Sequence, residues 1–349
     1  MKVSKLLFIL FFSIISFGCA TTNTIYEYAD LPSQREVENI KTSVRYKMLA
    51  HVIKGMDGKS IWGQDAESMA KYFTTLDQSE RLLIPNKTKK KFNVSEMKIN
   101  NRPCYLVESK KNRRSDKVVF FLHGGGFVFE IDSFHWDAIE KIVDELSVPV
   151  FVAMYPIYPE KNPDIMMKFV LDSYSKLRMD FPNAKVILLG DSSGADLSLS
   201  LCHYLIEKNS ELPLPDKLIA VSPAMVFGID DDTRREMKKI EPNDVVFSMN
   251  VIESLPALFN LSKEAEKYFG RPLYGDFSKF PPIYVFSGTY EIFYPQIPPF
   301  VKQVKEDGNY IEFYTGYKLM HSWPFMPLAP ESEKAFSIIL GIIAGEKNR

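Results

Sequence analysis

Three kinds of feature are scarce in this chain, and each scarcity narrows what it can do. Long apolar runs come first: the strongest, Leu6–Phe17, has 12 residues, whereas a bilayer-spanning helix needs about 20. Cysteine is second, with three in the chain. One stands near the N-terminus; Cys104 and Cys202 are too few for a disulfide framework and read as isolated buried thiols. Charge excess is third. The formal net charge is −1, which argues against nucleic acid as the main partner. Internal repeats and low-complexity tracts are missing too. What is present is an ordinary globular composition, and 349 residues suffice for one large α/β domain or two modest ones. The 26 Phe and 17 Tyr suit a large core with an apolar pocket.

The N-terminus reads as a targeting segment. Lys2 and Lys5 precede the apolar stretch, and Ser16-Phe17-Gly18-Cys19-Ala20 ends it. That order is the pattern of a signal peptide. Its end resembles a bacterial lipoprotein signal, in which a small residue precedes the cysteine that is lipidated and becomes residue one. Ser16 departs from that pattern, which has an aliphatic residue at this position. The expectation is a signal over residues 1–18, lipid on Cys19, a tether over 19–30, and export to a bacterial membrane. Loss of Lys2 and Lys5 would take the net charge from −1 to −3.

Residues 31–85 read as helical. Ser33-Gln34-Arg35-Glu36 has the capping-box pattern, and Val37, Ile40, Val44, Met48 and Val52 recur at helical spacing. A second helix is expected over Ala66–Thr75, and Asn86–Lys91 reads as a solvated basic loop. From Val94 the pattern changes. Val94–Ile99 and Cys104–Glu108 read as a hairpin turning at Asn100–Pro103. Further strands are expected at Lys117–Leu122, Val148–Ala153, Lys185–Leu189, Leu218–Val221, Pro282–Phe286 and Tyr310–Tyr314. Helices are expected at Phe134–Leu146, Pro163–Met179, Ala195–Leu205 and Glu331–Ala344, with 231–270 helical and irregular. Strands alternating with helices imply a mostly parallel eight-stranded sheet covered on both faces, with ligands at the carboxyl ends of its strands.

The chemistry is concentrated at Gly190-Asp191-Ser192-Ser193-Gly194. A strand, a tight glycine turn and a helix lift the Ser192 hydroxyl out of the backbone. A free serine is a poor nucleophile, so it needs a base and an oxyanion site. His123-Gly124-Gly125-Gly126 follows the strand ending at Leu122. Backbone N–H groups aimed at a developing oxyanion need a chain without side chains in the way, which a glycine run supplies. His123 suits holding this loop better than acting as base. In hydrolases with this elbow the order is Ser, acid, His. Of five histidines only His203 and His321 follow Ser192. His203 lies along the same helix, roughly 16 Å away at about 1.5 Å per residue, which leaves His321 as base. The acid should follow the penultimate strand, and Glu291 is the one carboxylate between Asp276 and Glu306. The aromatic residues near these motifs, Phe127, Phe129, Trp136 and Trp323, suit either core or an acyl pocket.

These motifs resemble those of the hormone-sensitive-lipase-like branch of the α/β-hydrolases, the bacterial esterase/lipase group. The matching residues are His123–Gly126, Tyr155 with Pro159-Glu160, Gly190–Gly194, Ser222-Pro223, Pro272–Asp276, Glu291 and His321. The likeness covers about residues 94–345. It implies an α/β-hydrolase fold in which residues 91–349 form the catalytic domain. A helical cap would be built from 31–90, with 225–265 contributing. It also implies Ser192 as nucleophile, His321 as base and Glu291 as acid. The backbone N–H groups of Gly124, Gly125 and Ser193 would form the oxyanion hole, with His123 and Gly126 as loop support, and no metal or organic cofactor would be needed. The chain departs from the family pattern in having Glu where Asp is usual, and Tyr155-Pro156-Ile157-Tyr158 in place of Y-R-L-A. The expected activity is hydrolysis of small-molecule carboxylic esters of short to medium acyl chain through an acyl-enzyme. A glycan deacetylase or small-molecule amidase would use the same triad. A non-catalytic binder on this fold is the third reading, and such relatives typically lose a triad member; none is lost here.

Overall fold

The computed structural model describes residues 42–346, apart from 56–57, 112–114, 161, 209, 260–262, 264–271 and 327–328, together with the two-residue strand Tyr26–Glu27. The expected signal segment, Cys19 and the capping box at Ser33–Glu36 lie outside the described residues.

The strands in chain order are β1 (Tyr26–Glu27), β2 (Asn93–Ile99), β3 (Arg102–Glu108), β4 (Lys117–Leu122), β5 (Val150–Ala153), β6 (Lys185–Asp191), β7 (Lys217–Val221), β8 (Ile283–Gly288) and β9 (Ile311–Gly316). They form one sheet in the order β1-β9-β8-β7-β6-β4-β5-β3-β2. Eight of these are the expected strands. The ninth, β1, comes from the segment expected as a tether and pairs antiparallel with β9 at the sheet edge. The run from β5 through β4, β6, β7 and β8 to β9 is parallel throughout. Its strands are continuously apolar because both faces are covered. On β4, Val118, Phe120 and Leu122 enter one core while Val119 and Phe121 enter the other, the two-residue alternation of a pleated strand. The β2–β3 hairpin turns on Asn100 and Asn101 at φ 48° and 67°, left-handed values that a two-residue hairpin requires.

The helices are α1 (Val44–Gly55), α2 (Gly58–Trp62), α3 (Ala66–Thr75), α4 (Asn86–Lys91), α5 (Ser133–Leu146), α6 (Pro163–Asp180), α7 (Ser193–Glu207), α8 (Asp231–Ile240), α9 (Val251–Leu258), α10 (Ile297–Glu306) and α11 (Pro330–Ala344). α6, α7 and α10 cover one face of the sheet, and α5 and α11 the other. α4 corrects the basic loop expected at Asn86–Lys91. Thr88 is buried and donates its hydroxyl to Glu140 of α5 at 2.6 Å, while Lys87 and Lys91 pair with Asp137 and Asp144 on the same helix. The lysines face a carboxylate row, which the charge run alone does not reveal. α10 was not among the expected helices; Pro298 and Pro299 stand in its first turn, where proline costs no intrahelical bond. Cys104 and Cys202 are free and buried. Among the described residues no helix is long and apolar enough to cross a membrane.

Two helical segments meet over the carboxyl ends of the strands. Lys59 of α2 donates to the carbonyls of Glu241 and Asp244 at 2.6 and 3.1 Å. Asn250 and Ser254 donate back to the carbonyls of Gly63 and Gln64 at 2.6 and 2.7 Å.

Candidate active site

The parallel register puts the functional loops on one edge. Leu122 lies beside Gly190, Asp191 beside Val221, Val221 beside Phe286, and Gly288 beside Gly316. The loops that follow each strand therefore emerge together, although their residues span about 200 positions of the chain.

Ser192 tops the turn from β6 into α7 at φ 50°, ψ −126°, a region that costs a non-glycine residue about 1–3 kcal/mol. Its N–H is held by the Val221 carbonyl at 2.8 Å. The two glycines of the motif permit a close crossing: a side-chain carbon on Gly194 would stand 2.1 Å from the Leu122 carbonyl, and one on Gly190 2.4 Å from that of Gly194.

His321 sits on the loop after β9. Its Nδ1 faces Glu291 Oε2 at 2.7 Å, and its Nε2 is buried without a hydrogen-bond partner. The other Glu291 oxygen accepts the Gly288 N–H at 3.0 Å and the Ser287 hydroxyl. Burial alone would push the His321 pKa down. The hydrogen bond and charge of Glu291, with Asp244 and Asp191 behind it, outweigh burial and raise it. Neighbours on each side set the loop. The Met320 N–H is donated to the Tyr46 oxygen from α1, and the Ser322 N–H to Ser222 Oγ at 3.0 Å. His203, excluded above on distance, lies elsewhere, bonded to the Pro272 carbonyl at 3.2 Å.

Asp191 joins three of these loops, a role its motif did not reveal. Its Oδ1 accepts the Gly124 N–H at 2.8 Å and faces His135 Nε2 at 3.0 Å; its Oδ2 accepts the Ser322 hydroxyl at 3.1 Å. The residues beside Ser192 and His321 are thus directly bonded to each other. His135, at the start of α5, also faces Asp132 at 2.9 Å. Burial would lower its pKa, but the two carboxylates raise it to about 10, so it is an imidazolium at neutral pH. Its local partner is Asp132, with which it forms a capping box at the start of α5.

The glycine run is placed differently from the expectation. The Gly124 N–H, expected as an oxyanion donor, is spent on Asp191, because Gly124 is packed against that carboxylate: a side-chain carbon on it would stand 2.4 Å from Asp191 Oδ2. Gly125 and Gly126 are half-buried, and among the described residues their N–H groups are donated to no protein acceptor. Ser193 opens α7, where the first N–H groups have no partner within the helix. Among the described residues, Gly125, Gly126 and Ser193 thus offer free N–H donors at this edge. His123 donates Nδ1–H to the Gly124 carbonyl at 2.7 Å and stacks on Tyr155, whose hydroxyl is donated to the His123 carbonyl at 2.7 Å. Burial, with the charge of His135, lowers the His123 pKa to about 3, so it stays neutral. Gln78 grips the end of the loop, donating to the Val128 carbonyl and accepting the Glu130 N–H.

Two further groups bear on the site. Asp244 is buried between α8 and α9; it accepts the N–H groups of Val246, Phe247 and Ile292 at 2.7–2.9 Å, tying the upper segment to the loop that carries Glu291. Asp196, one turn along α7, accepts the Ala224 N–H at 3.1 Å, and burial pushes its carboxyl up to about 8. Trp136 and Trp323 belong to the core on the α5 side, while Phe129 packs against Trp62.

Comparison with known proteins agrees with this fold. A family model described as alpha/beta hydrolase fold matches residues 119–325. Esterase LipU of Mycobacterium tuberculosis is 28% identical over 204 residues, 56% of this chain and 65% of that protein, slightly under two thirds of its length. An acetyl-hydrolase of Streptomyces hygroscopicus is 20% identical over 67% of this chain and 78% of its own. Among solved structures, an esterase from the bacterial hormone-sensitive lipase family superposes with a TM-score of 0.69 at 19% identity, covering 88% of this chain and 99% of that one.

Proposed function

The chain belongs to the alpha/beta hydrolase fold family, and from that premise we propose that it is a member of the hormone-sensitive-lipase-like branch that hydrolyses carboxylic esters of short to medium acyl chain with Ser192, His321 and Glu291 as its triad. One observation carries the reading. A buried His321–Glu291 pair, 2.7 Å apart, leaves Nε2 free on a loop bonded to the residue before the strained Ser192. In the reaction Ser192 Oγ attacks the ester carbonyl carbon while His321 Nε2 takes its proton. Glu291 stabilises the imidazolium so formed. The oxyanion is held by the N–H groups of Gly125, Gly126 and Ser193. His321 then gives the proton to the leaving alcohol oxygen, and the acyl-enzyme is released by a water that His321 deprotonates.

The test is the pH profile of p-nitrophenyl acetate hydrolysis. The base works only when neutral, and its pKa is raised above 6.5. Activity should therefore be lost as pH falls, with kcat/KM half-maximal above pH 6.5. Glu291→Gln removes the charge that raises the pKa. The midpoint should move to lower pH and kcat should fall by about 10⁴-fold, less than for loss of Ser192. A variant with unchanged midpoint and rate would refute the role of Glu291.

We infer further that residues 1–18 direct export and that Cys19 carries the lipid, an assignment supported by the order Lys2, Lys5, Leu6–Phe17, Gly18, Cys19. Cells expressing the chain should incorporate radiolabelled palmitate into it, and Cys19→Ala should lose the label. Equal labelling of the variant would overturn the assignment.

A further inference from the structure

A row of aromatic rings lies over the site, contributed by the two latched helical segments. Trp62 ends α2 and rests on the glycine loop: a side-chain carbon on Gly126 would stand 2.7 Å from Trp62 Cη2. The indole reaches Phe247 at 5.2 Å between ring centroids, and Phe247 stands edge-on to His321 at 4.8 Å. On its other side Trp62 meets Phe129 at 5.8 Å and Phe73 at 6.2 Å. The rings thus run from the oxyanion loop to the catalytic imidazole. Trp62 and Phe247 are each 6% exposed, as is Ser192 beneath them.

The row is held from both ends. Lys59 and Gly63, flanking Trp62, bond to Glu241, Asp244 and Asn250. Asp244 in turn holds the backbone of Phe247. The segment that carries Trp62 is therefore held on both sides of the indole.

We propose that Trp62 sets the upper limit on the acyl chain; the proposal rests on the esterase reading above and names the residue that selects among esters. The argument is directional. The alcohol oxygen must face His321, which protonates it. The carbonyl oxygen must face the N–H groups of Gly125, Gly126 and Ser193. The acyl chain leaves the carbonyl carbon away from His321, on the side where Gly126 carries Trp62 and the wall of Phe129 and Phe73. An indole seated on the loop would therefore stop an octanoyl chain where it still admits a butyryl group.

The experiment compares kcat/KM for p-nitrophenyl butyrate and octanoate in the wild type, Trp62→Ala and Trp62→Phe. A ratio measured within one preparation does not depend on the fraction of active enzyme, and Trp62→Phe keeps the test open if Trp62→Ala fails to fold. The wild type should prefer butyrate by at least about tenfold, since each methylene in a fitted pocket carries a sizeable penalty or gain. Trp62→Ala should raise the octanoate-to-butyrate ratio by about tenfold or more, with Trp62→Phe in between. An unchanged ratio in variants that still cleave butyrate overturns the proposal while leaving the esterase reading intact, as does a wild type indifferent to chain length. A wild type that cleaves neither ester overturns both.

Discussion

Ser192→Ala loses about 10⁶-fold in kcat on p-nitrophenyl esters, the scale seen when a triad nucleophile is removed, and no longer labels with a fluorophosphonate probe. The expectation follows from the division of labour at the site. In the proposed mechanism the other groups prepare for a charge or a proton that appears only once the Ser192 oxygen attacks. Without that oxygen, His321 has no proton to take and the three backbone donors face a ground-state carbonyl. Ser192→Gly should lose as much activity yet gain stability. The backbone at φ 50°, ψ −126° is strained for serine, and glycine relieves about 1–3 kcal/mol of that. A higher Tm with no activity separates loss of chemistry from loss of fold. A Ser192→Ala variant retaining a tenth of wild-type turnover would refute the nucleophile assignment.

The strands were readable in the sequence where burial on both faces writes an unbroken apolar run, as in Val118–Leu122 and Val186–Leu189. The elbow was readable because its glycines are demanded by local crossing. That His321 and Glu291 would stand together was reachable by elimination among few candidates. What was not readable depends on contacts between distant segments. Nothing near Trp62 announces that it will seat on Gly126, or that Phe247 will bridge it to His321. The pairing of α4 with α5 turned a lysine run into a helix through carboxylates about fifty residues away. The glycine run marked the loop that lies beside the elbow, but which of its N–H groups are free depends on Asp191, which claims the one on Gly124.

That claim makes Asp191 the residue whose loss should spread furthest. Its carboxylate holds the glycine loop through Gly124, the histidine loop through Ser322 and the imidazolium of His135, all from the position beside the nucleophile. Asp191→Asn keeps the shape and removes the charge, leaving His135 with Asp132 as its remaining close anion. Breaking one side of a buried ion pair costs about 3 kcal/mol, and displacing the glycine and histidine loops by about 1 Å should cost about 10²-fold in kcat. The pH dependence identifies the cause. His135 titrates at about 10 in the folded chain against 6.5 unfolded. Its raised pKa therefore stabilises the fold fully below pH 6.5, and that stabilisation is lost as pH rises toward 10. In Asp191→Asn the folded pKa falls, so less is gained at low pH and less remains to be lost. The stability gap between wild type and variant, read from urea unfolding, should be widest below pH 6.5 and shrink as pH approaches 10. A gap that stays constant across that range would mean that Asp191 acts by packing alone, and that the charge on His135 contributes nothing to holding the site together.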